Sequence, residues 1–192
     1  MPITHLPAER YRRMPWKNGA GTTTEIAVYP AGSGLDDFDW RLAIADLDRS
    51  GPFSSFPGVD RLLMLLPPAE VTLVIDDRER VMAALDVVAF AGGSTVSARL
   101  TSGPARDLNL MLRRGRVEAT MEAVVLDSER QAASHASLIV VCALEGSVGV
   151  ESDGARVTLE TLDSAIVEPG ASREIGLRPG GRAVAATIAI QY

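Results

Sequence analysis

Residues 14–26 bring together chemical groups that could bind a small molecule: an aromatic ring, a cation, an amide, three hydroxyls and a carboxylate. The proline and the glycines of this stretch do not suit a helix interior, whereas its Thr-rich end suits a strand. Alternation along that strand would place Thr22 and Thr24 on one face and Thr23 and Glu25 on the other. The stretch could therefore line a polar pocket. An ordinary surface turn followed by a strand is the alternative.

Other polar and aromatic residues extend this candidate site. Arginine grips a carboxylate through two parallel hydrogen bonds, and lysine acts as a point charge. Amides and hydroxyls can sort one small acid from another, and aromatic rings can exclude water. The acidic candidates Glu25 and Asp107 orient the cationic side chains or form structural ion pairs with them. The candidate ligand-binding residues are Trp16, Lys17, Asn18, Thr22, Thr24, Glu25, Arg41, Phe53, Ser54, Phe56, Arg61, Asp107 and Asn109. Each of these residues, taken alone, also fits a purely structural role in an ion pair, a loop or the core.

The sequence does not indicate an enzyme of a recognisable class, and we name no catalytic residue. It has no nucleophile elbow, and neither a Ser-His-Asp nor a Cys-His arrangement has supporting spacing. The run Gly19-Ala20-Gly21 lacks the strand–loop–helix context of a phosphate loop. Lys17 and Glu25 could exchange protons if burial shifted either group. A cofactor-free isomerase or hydrolase that acts on a small acid or a sugar therefore stays an alternative to a binding protein.

Metal chemistry is not expected. His5 and His135 are the two histidines, and they lie 130 positions apart. A site with three histidines is impossible by count, and other ligand sets show no characteristic spacing. We therefore expect neither a metal nor another cofactor.

Composition limits the partners. A formal charge of −6 over 192 residues argues against a general nucleic-acid binder, which should be basic. The first residues lack the features of a signal peptide, and no apolar run approaches the roughly 18 residues that cross a bilayer. The single cysteine, Cys142, cannot form an internal disulfide. These features predict a cytoplasmic protein without a membrane partner.

Short apolar segments separated by glycine, proline and other turn residues recur along the chain. Regularly spaced short strands of this kind are typical of an all-β sandwich or barrel. Residues 128–134 are the best candidate for a helical turn, so little helix is expected.

An internal repeat suggests how the strands are organised. Residues 62–100 align with residues 139–177 without gaps, at an offset of 77, and Leu85-Asp86 then meets Leu162-Asp163. Repeats of this length set the architecture. We predict two jelly-roll-like β-barrels, residues 1–115 with the candidate pocket and residues 116–192 with a structural role. A strand pair that ends in the repeated Leu-Asp pattern resembles the cupin fold, which is a double-sheet β architecture.

Several ordered motifs resemble the HutD/Ves family. They are Pro15-Trp16-Lys17-Asn18-Gly19, Gly21-Thr22, Thr24-Glu25-Ile26, Trp40-Arg41-Leu42, Gly51-Pro52-Phe53-Ser54, Phe56-Pro57-Gly58, Arg61, Asp107-Leu108-Asn109-Leu110-Met111 and Arg113-Arg114-Gly115. The resemblance covers the whole chain, although these motifs all lie in its first 115 residues. Ala20 departs from the family, which usually has a glycine at that position.

The resemblance implies a bicupin fold and an association with bacterial histidine utilisation. It implies a protein that senses or sequesters a small carboxylate intermediate, such as formylglutamate or urocanate, and so modulates the pathway. It implies no established reaction. A relative of the Ves type would instead be associated with stress response. In a third interpretation the second barrel mainly builds a homodimer interface.

Overall fold

The computed structural model describes residues 3–16, 21–133, 135–168 and 174–192, which form two compact units. The N-terminal unit is Arg12–Val117, and the C-terminal unit combines Met1–Tyr11 with Glu118–Tyr192. The division into domains of residues 1–115 and 116–192 stays a prediction. The first residues join the C-terminal unit because strand β1 (Ile3–Leu6) pairs antiparallel with strand β17 (Ser164–Val167).

The N-terminal unit consists of two antiparallel sheets. Its strands are β2 (Arg12–Pro15), β3 (Gly21–Tyr29), β4 (Trp40–Leu47), β5 (Gly51–Pro52), β6 (Val59–Leu65), β7 (Val71–Ile75), β8 (Arg78–Met82), β9 (Val87–Ala91), β10 (Val96–Leu100) and β11 (Ala105–Arg113). The larger sheet has the order β2-β3-β4-β11-β6-β9, and the smaller has the order β5-β10-β7-β8.

Apolar side chains from both sheets of this unit meet in one core. Leu47 and Leu63 of the larger sheet pack in the same cluster as Leu73 and Met82 of the smaller sheet. The sheets nevertheless stay open, since β2 and β9 end one and β5 and β8 end the other. The expectation of closed barrels is therefore corrected to a pair of face-to-face sheets.

The C-terminal unit repeats this plan. Besides β1 and β17 its strands are β12 (Glu118–Leu126), β13 (Arg130–Ala133), β14 (Leu138–Glu145), β15 (Val148–Ser152), β16 (Ala155–Leu159), β18 (Glu174–Pro179) and β19 (Ala183–Gln191). The two sheets have the orders β1-β17-β14-β19-β12 and β13-β18-β15-β16. A 3-10 turn, Ala8–Arg10, follows β1.

The helical turn expected at residues 128–134 is wrong for the part of it that the structure describes. Strand β13 lies there and pairs with β18. A single helical turn gains little from backbone propensity, so pairing with a neighbouring strand prevails. The described chain contains no helix with the length and hydrophobicity needed to cross a bilayer.

The repeat at offset 77 appears in the strand bounds and in the turns. Strands β7 and β8 correspond residue by residue to β15 and β16. Leu85 and Leu162 both adopt positive φ, at 72° and 73°. The carboxylates of Asp86 and Asp163 each accept a hydrogen bond from the backbone N–H three residues earlier, at 2.9 and 3.2 Å. The repeated Leu-Asp pair is therefore a turn with its own hydrogen bond.

Candidate functional site

Two rows of side chains cross the inner face of the larger sheet in the N-terminal unit. In one row Ala45 of β4 lies between Thr23 of β3 and Asp107 of β11. In the next row Ala43 lies between Glu25 and Asn109. Neighbouring strands are about 4.8 Å apart, so the small alanines form a floor between two polar walls. We call these six residues the polar trough.

Arg41 lies at one end of the polar trough and forms an ion pair with its wall. Its Nε donates to Oε2 of Glu25 at 2.7 Å. The two side chains are only 7% and 19% exposed, so water screens the pair weakly. Glu25 thus neutralises one buried guanidinium.

Arg61 of β6 lies in the same row as Arg41 but has a different environment. Its Nε donates to Oδ1 of Asn109 at 3.3 Å. Its guanidinium carbon lies 5.3 Å from the centre of the Phe53 ring and 5.1 Å from that of Phe90. Among the described residues no carboxylate lies within ion-pair distance of this guanidinium.

Burial weakens the positive charge of Arg61 without removing it. The pKa of Arg61 is lowered to about 10, chiefly by burial; Asp107 opposes this change, and Arg41 adds a smaller lowering. The group therefore remains a cation at neutral pH. A buried cation held by an amide and two rings has spare capacity to bind an anion.

Asp107 is the second unusual group. Its side chain is fully buried, and its Oδ1 accepts a hydrogen bond from Nδ2 of Asn109 at 3.3 Å. Its Oδ2 is buried and has no hydrogen-bond partner in the described part of the chain. Burial raises the pKa of Asp107 to about 7, although Arg61 and Asn109 favour the charged form.

A narrow apolar space adjoins Asp107 between the two sheets. It has an empty volume of about 200 Å³, and in this conformation it is too narrow for a water molecule. Phe53 lines it, and the other lining residues are Leu47, Leu63, Leu65, Val71, Leu73 and Met82. Asp107 is thus the only charged side chain that faces this space among the described residues.

A larger depression of the N-terminal unit lies elsewhere. It is open to solvent, has an empty volume of about 790 Å³, and is lined by Arg13, Thr22, Asp46 and Arg106 among others. Arg13 and Asp46 pair there at 3.3 Å. We place the candidate site at the polar trough because buried, incompletely paired charges are costly and mark functional sites, whereas an exposed ion pair is commonplace.

The structure brings together seven of the predicted site residues around the polar trough. These are Trp16, Glu25, Arg41, Phe53, Arg61, Asp107 and Asn109. Lys17 and Asn18 lie outside the described residues.

Four other predicted residues lie apart from the polar trough. Thr22 and Thr24 point to the opposite face of β3, because they alternate with the wall residues. Ser54 is exposed. Phe56 packs in a separate cluster built around Phe38.

The prediction missed Thr23, although strand alternation already placed it beside Glu25. Its Oγ1 accepts a hydrogen bond from Nε1 of Trp16 at 2.7 Å, which ties the indole to the trough wall. Phe90, the second ring beside Arg61, was also missed: it lies opposite Arg61 on the neighbouring strand β9, and a pairing between strands so far apart in the sequence leaves no local signal.

The close approach of two strands explains why residue 21 is a glycine. A Cβ atom at this position would lie 2.1 Å from the backbone oxygen of Asp46 and 3.4 Å from Cε3 of Trp16. Glycine therefore lets β3 approach β4 and leaves room for the indole.

The fold and the site first identify the structural class of the protein. A cupin 2 conserved barrel domain protein from Leptotrichia buccalis superposes with a TM-score of 0.60 over 94% of this chain and 96% of that chain. At 8% identity this shows the fold alone. The protein is thus an all-β protein with a cupin-like fold and a buried arginine–carboxylate cluster.

The chain belongs to the HutD family, whose sequence model matches residues 8–185. It is 37% identical over 178 residues to an uncharacterized 21.2 kDa protein in the hutC 3' region of Pseudomonas putida, covering 92% of each chain. It is 42% identical to protein Ves of Citrobacter koseri over 113 residues, which is 56% of this chain and 58% of Ves.

Two solved structures are similar over the whole chain. A conserved protein of unknown function from Pseudomonas aeruginosa PAO1 superposes with a TM-score of 0.93 at 32% identity and full coverage of both chains. HutD from Pseudomonas fluorescens SBW25, in a structure described as a formate condition, superposes with a TM-score of 0.84 at 36% identity, covering 99% of this chain and 98% of that one.

Proposed function

We propose that this protein binds a small organic carboxylate without a metal and thereby senses or sequesters an intermediate of histidine catabolism. The observation that carries the proposal is Arg61, a buried guanidinium that is held by Asn109, Phe53 and Phe90 and lacks an ionic partner among the described residues. A ligand carboxylate would supply that partner through two parallel hydrogen bonds.

The charges around the polar trough favour an anion. Arg41 and Arg61 contribute two positive charges, and Glu25 offsets one of them. Asp107 offsets the other only in part, because its pKa of about 7 leaves much of it protonated at neutral pH. A small anion that enters a site of low dielectric constant interacts more strongly there than in water. The balance supports binding of one carboxylate.

The relatives support the choice of pathway. The Pseudomonas putida relative is named for its place in the hutC 3' region, and the Pseudomonas fluorescens structure is described as a formate condition. The names HutD and hutC support a role in modulating histidine utilisation, and formylglutamate and urocanate are the ligands that we propose on that basis.

We further propose that each unit is a cupin-type jelly roll and that the chain is a bicupin that arose by duplication. The offset of 77 between β7–β8 and β15–β16, together with the matched positive φ of Leu85 and Leu162, supports this origin. The polar trough belongs to the N-terminal unit, so the C-terminal copy would serve mainly as structure.

A cofactor-free enzyme acting on a small acid is the second candidate. Asp107 supports it, because a buried carboxyl with a pKa near 7 can act as a general acid or base. Cys142 does not, because burial raises the pKa of its thiol to about 11. Consumption of any of the acids below by the purified protein would favour this candidate over simple binding.

A thermal-shift screen tests the proposed function. The protein would be heated with urocanate, formylglutamate, formiminoglutamate, glutamate or formate, beside an Arg61→Met variant. A ligand at about 100 times its dissociation constant should stabilise the folded state by about 2.7 kcal/mol. We expect at least one acid to raise the melting temperature of the wild type and not that of the variant. Flat curves for all five acids would refute the proposal.

A further inference from the structure

The hydrogen bonds between Arg61, Asn109 and Asp107 have a fixed direction. A guanidinium can only donate, so the atom of Asn109 that faces Arg61 must be its carbonyl oxygen. The amide nitrogen then faces Asp107 and donates to Oδ1. Asp107 is consequently the last acceptor of a chain of donors that starts at the cation.

The second oxygen of Asp107 remains unused. Oδ2 is buried, has no hydrogen-bond partner among the residues that the structure describes, and belongs to a side chain that faces the narrow apolar space. A buried acceptor without a donor is costly, and few occur in folded proteins. In the ionised form of Asp107, which prevails above pH 7, this oxygen lacks a hydrogen-bond donor.

Phe53 connects this oxygen to the anion site. Its ring lines the apolar space with Asp107 and also lies 5.3 Å from the guanidinium carbon of Arg61. Asp107 and Asn109 are two residues apart on β11, which corresponds to about 7 Å along a strand. A ligand that displaces the Phe53 ring could therefore reach Arg61 and Oδ2 of Asp107 together.

We infer that the polar trough selects acids that carry an N–H group a short distance from the carboxylate, and that Asp107 is the residue that determines this specificity. The inference rests on the proposed function, because it assigns the carboxylate to Arg61. Oδ2 of Asp107 accepts the ligand's N–H. An acid without that donor enters the same site but leaves the oxygen unpaired.

A pair of probes that differ by one group tests the inference. Calorimetry would compare N-formylglutamate with 2-formyloxyglutarate, in which an ester oxygen replaces the N–H, at about pH 8, where the Asp107 carboxyl is mostly ionised. We expect the wild type to bind the amide at least about tenfold more tightly, since loss of a hydrogen bond to a buried charged acceptor has an effect of that size.

The variant Asp107→Asn sharpens the test. The new side chain must present its oxygen to Nδ2 of Asn109, so its own NH₂ group would face the ligand. The preference for the amide should then disappear or invert, whereas Asp60→Asn, which changes an exposed partner of Arg114, should preserve it. Asp107→Ala should reduce the ratio to about one, and it serves if Asp107→Asn does not fold.

The outcomes separate the two proposals. Equal binding of both probes by the wild type, or an unchanged preference in Asp107→Asn, would overturn the role of Asp107 and leave the carboxylate site intact. Binding of formate with no binding of either larger probe would also overturn it. Failure of both probes and of all five acids of the thermal-shift screen to bind would refute the proposed function itself.

Discussion

Arg61 donates a hydrogen bond through Nε to Oδ1 of Asn109 at 3.3 Å, so a neutral amide holds a buried cation. Arg41, in the same row of the sheet, instead pairs with the carboxylate of Glu25 at 2.7 Å. The two arginines are buried to a similar extent. This difference in partner is the reason why we propose Arg61 as the group that receives the ligand's charge.

Replacement of Arg61 should stabilise the protein in the absence of ligand. In Arg61→Met an apolar chain of similar length would lie between Phe53 and Phe90, and the cost of burying an unpaired charge would vanish. Replacing buried charges by apolar residues often stabilises a protein, and we expect the free energy of unfolding to rise by about 1–2 kcal/mol in urea denaturation. The control Arg114→Met alters an exposed ion pair and should change little. A clear loss of stability in Arg61→Met would argue that the cation is already compensated.

Removal of the carboxylate beside Arg41 should have the opposite effect. Glu25→Gln leaves that buried guanidinium without an ionic partner, and we expect a loss of about 2–3 kcal/mol in the free energy of unfolding. The double variant Glu25→Gln/Arg41→Met should recover much of that loss. Glu151→Gln breaks an exposed pair with Arg156 and serves as the control, with no measurable change expected. Equal stability of Glu25→Gln and wild type would contradict a buried ion pair.

The stability of the wild type should depend on pH through Asp107. In the unfolded chain this carboxyl ionises near pH 4, whereas in the folded protein it keeps its proton up to about pH 7. Between these values the folded state binds one more proton, so this group makes the free energy of unfolding fall as pH rises towards 7 and has little further effect above it.

The variant Asp107→Asn isolates that contribution, because the other titrating groups are common to both proteins. Relative to the variant, the wild type should lose up to about 3 kcal/mol between pH 5 and pH 8. Parallel stability profiles of the two proteins over this range would mean that Asp107 titrates normally.

The glycine next to the trough wall should not tolerate a side chain. Gly21→Ala places a methyl group 2.1 Å from a backbone oxygen, so strand β3 must shift away from β4. We expect a loss of about 1–3 kcal/mol in the free energy of unfolding. Gly51→Ala is a matched control, since no heavy atom lies within 4 Å of its added Cβ. A neutral Gly21→Ala would show that the glycine is not needed for strand pairing.

The sequence predicted those features of the fold that depend on residues close together in the chain. Turn residues and the repeat at offset 77 predicted an all-β chain, and the Leu-Asp pairs proved to be matching turns. Open rather than closed sheets, and the pairing of β1 with β17, depend on contacts between distant segments. Local patterns carry little information about such contacts.

The candidate site shows the same limit. Alternation correctly separated Thr22 and Thr24 from Thr23 and Glu25, but it could not tell which face points to the core. The packing of Ala45, which lies beside Thr23, into the core between the two sheets shows which face this is. That Arg61 has no ionic partner within the described ranges is likewise a property of several strands together, and no spacing in the sequence could reveal it.

Calorimetric titration of the wild type, Arg61→Met and Arg114→Met with formylglutamate tests the central claim most directly. A buried cation that awaits a carboxylate predicts binding to the wild type and to Arg114→Met, and a loss of at least about tenfold in affinity for Arg61→Met. Equal affinity of all three proteins would contradict the assignment of the ligand carboxylate to Arg61.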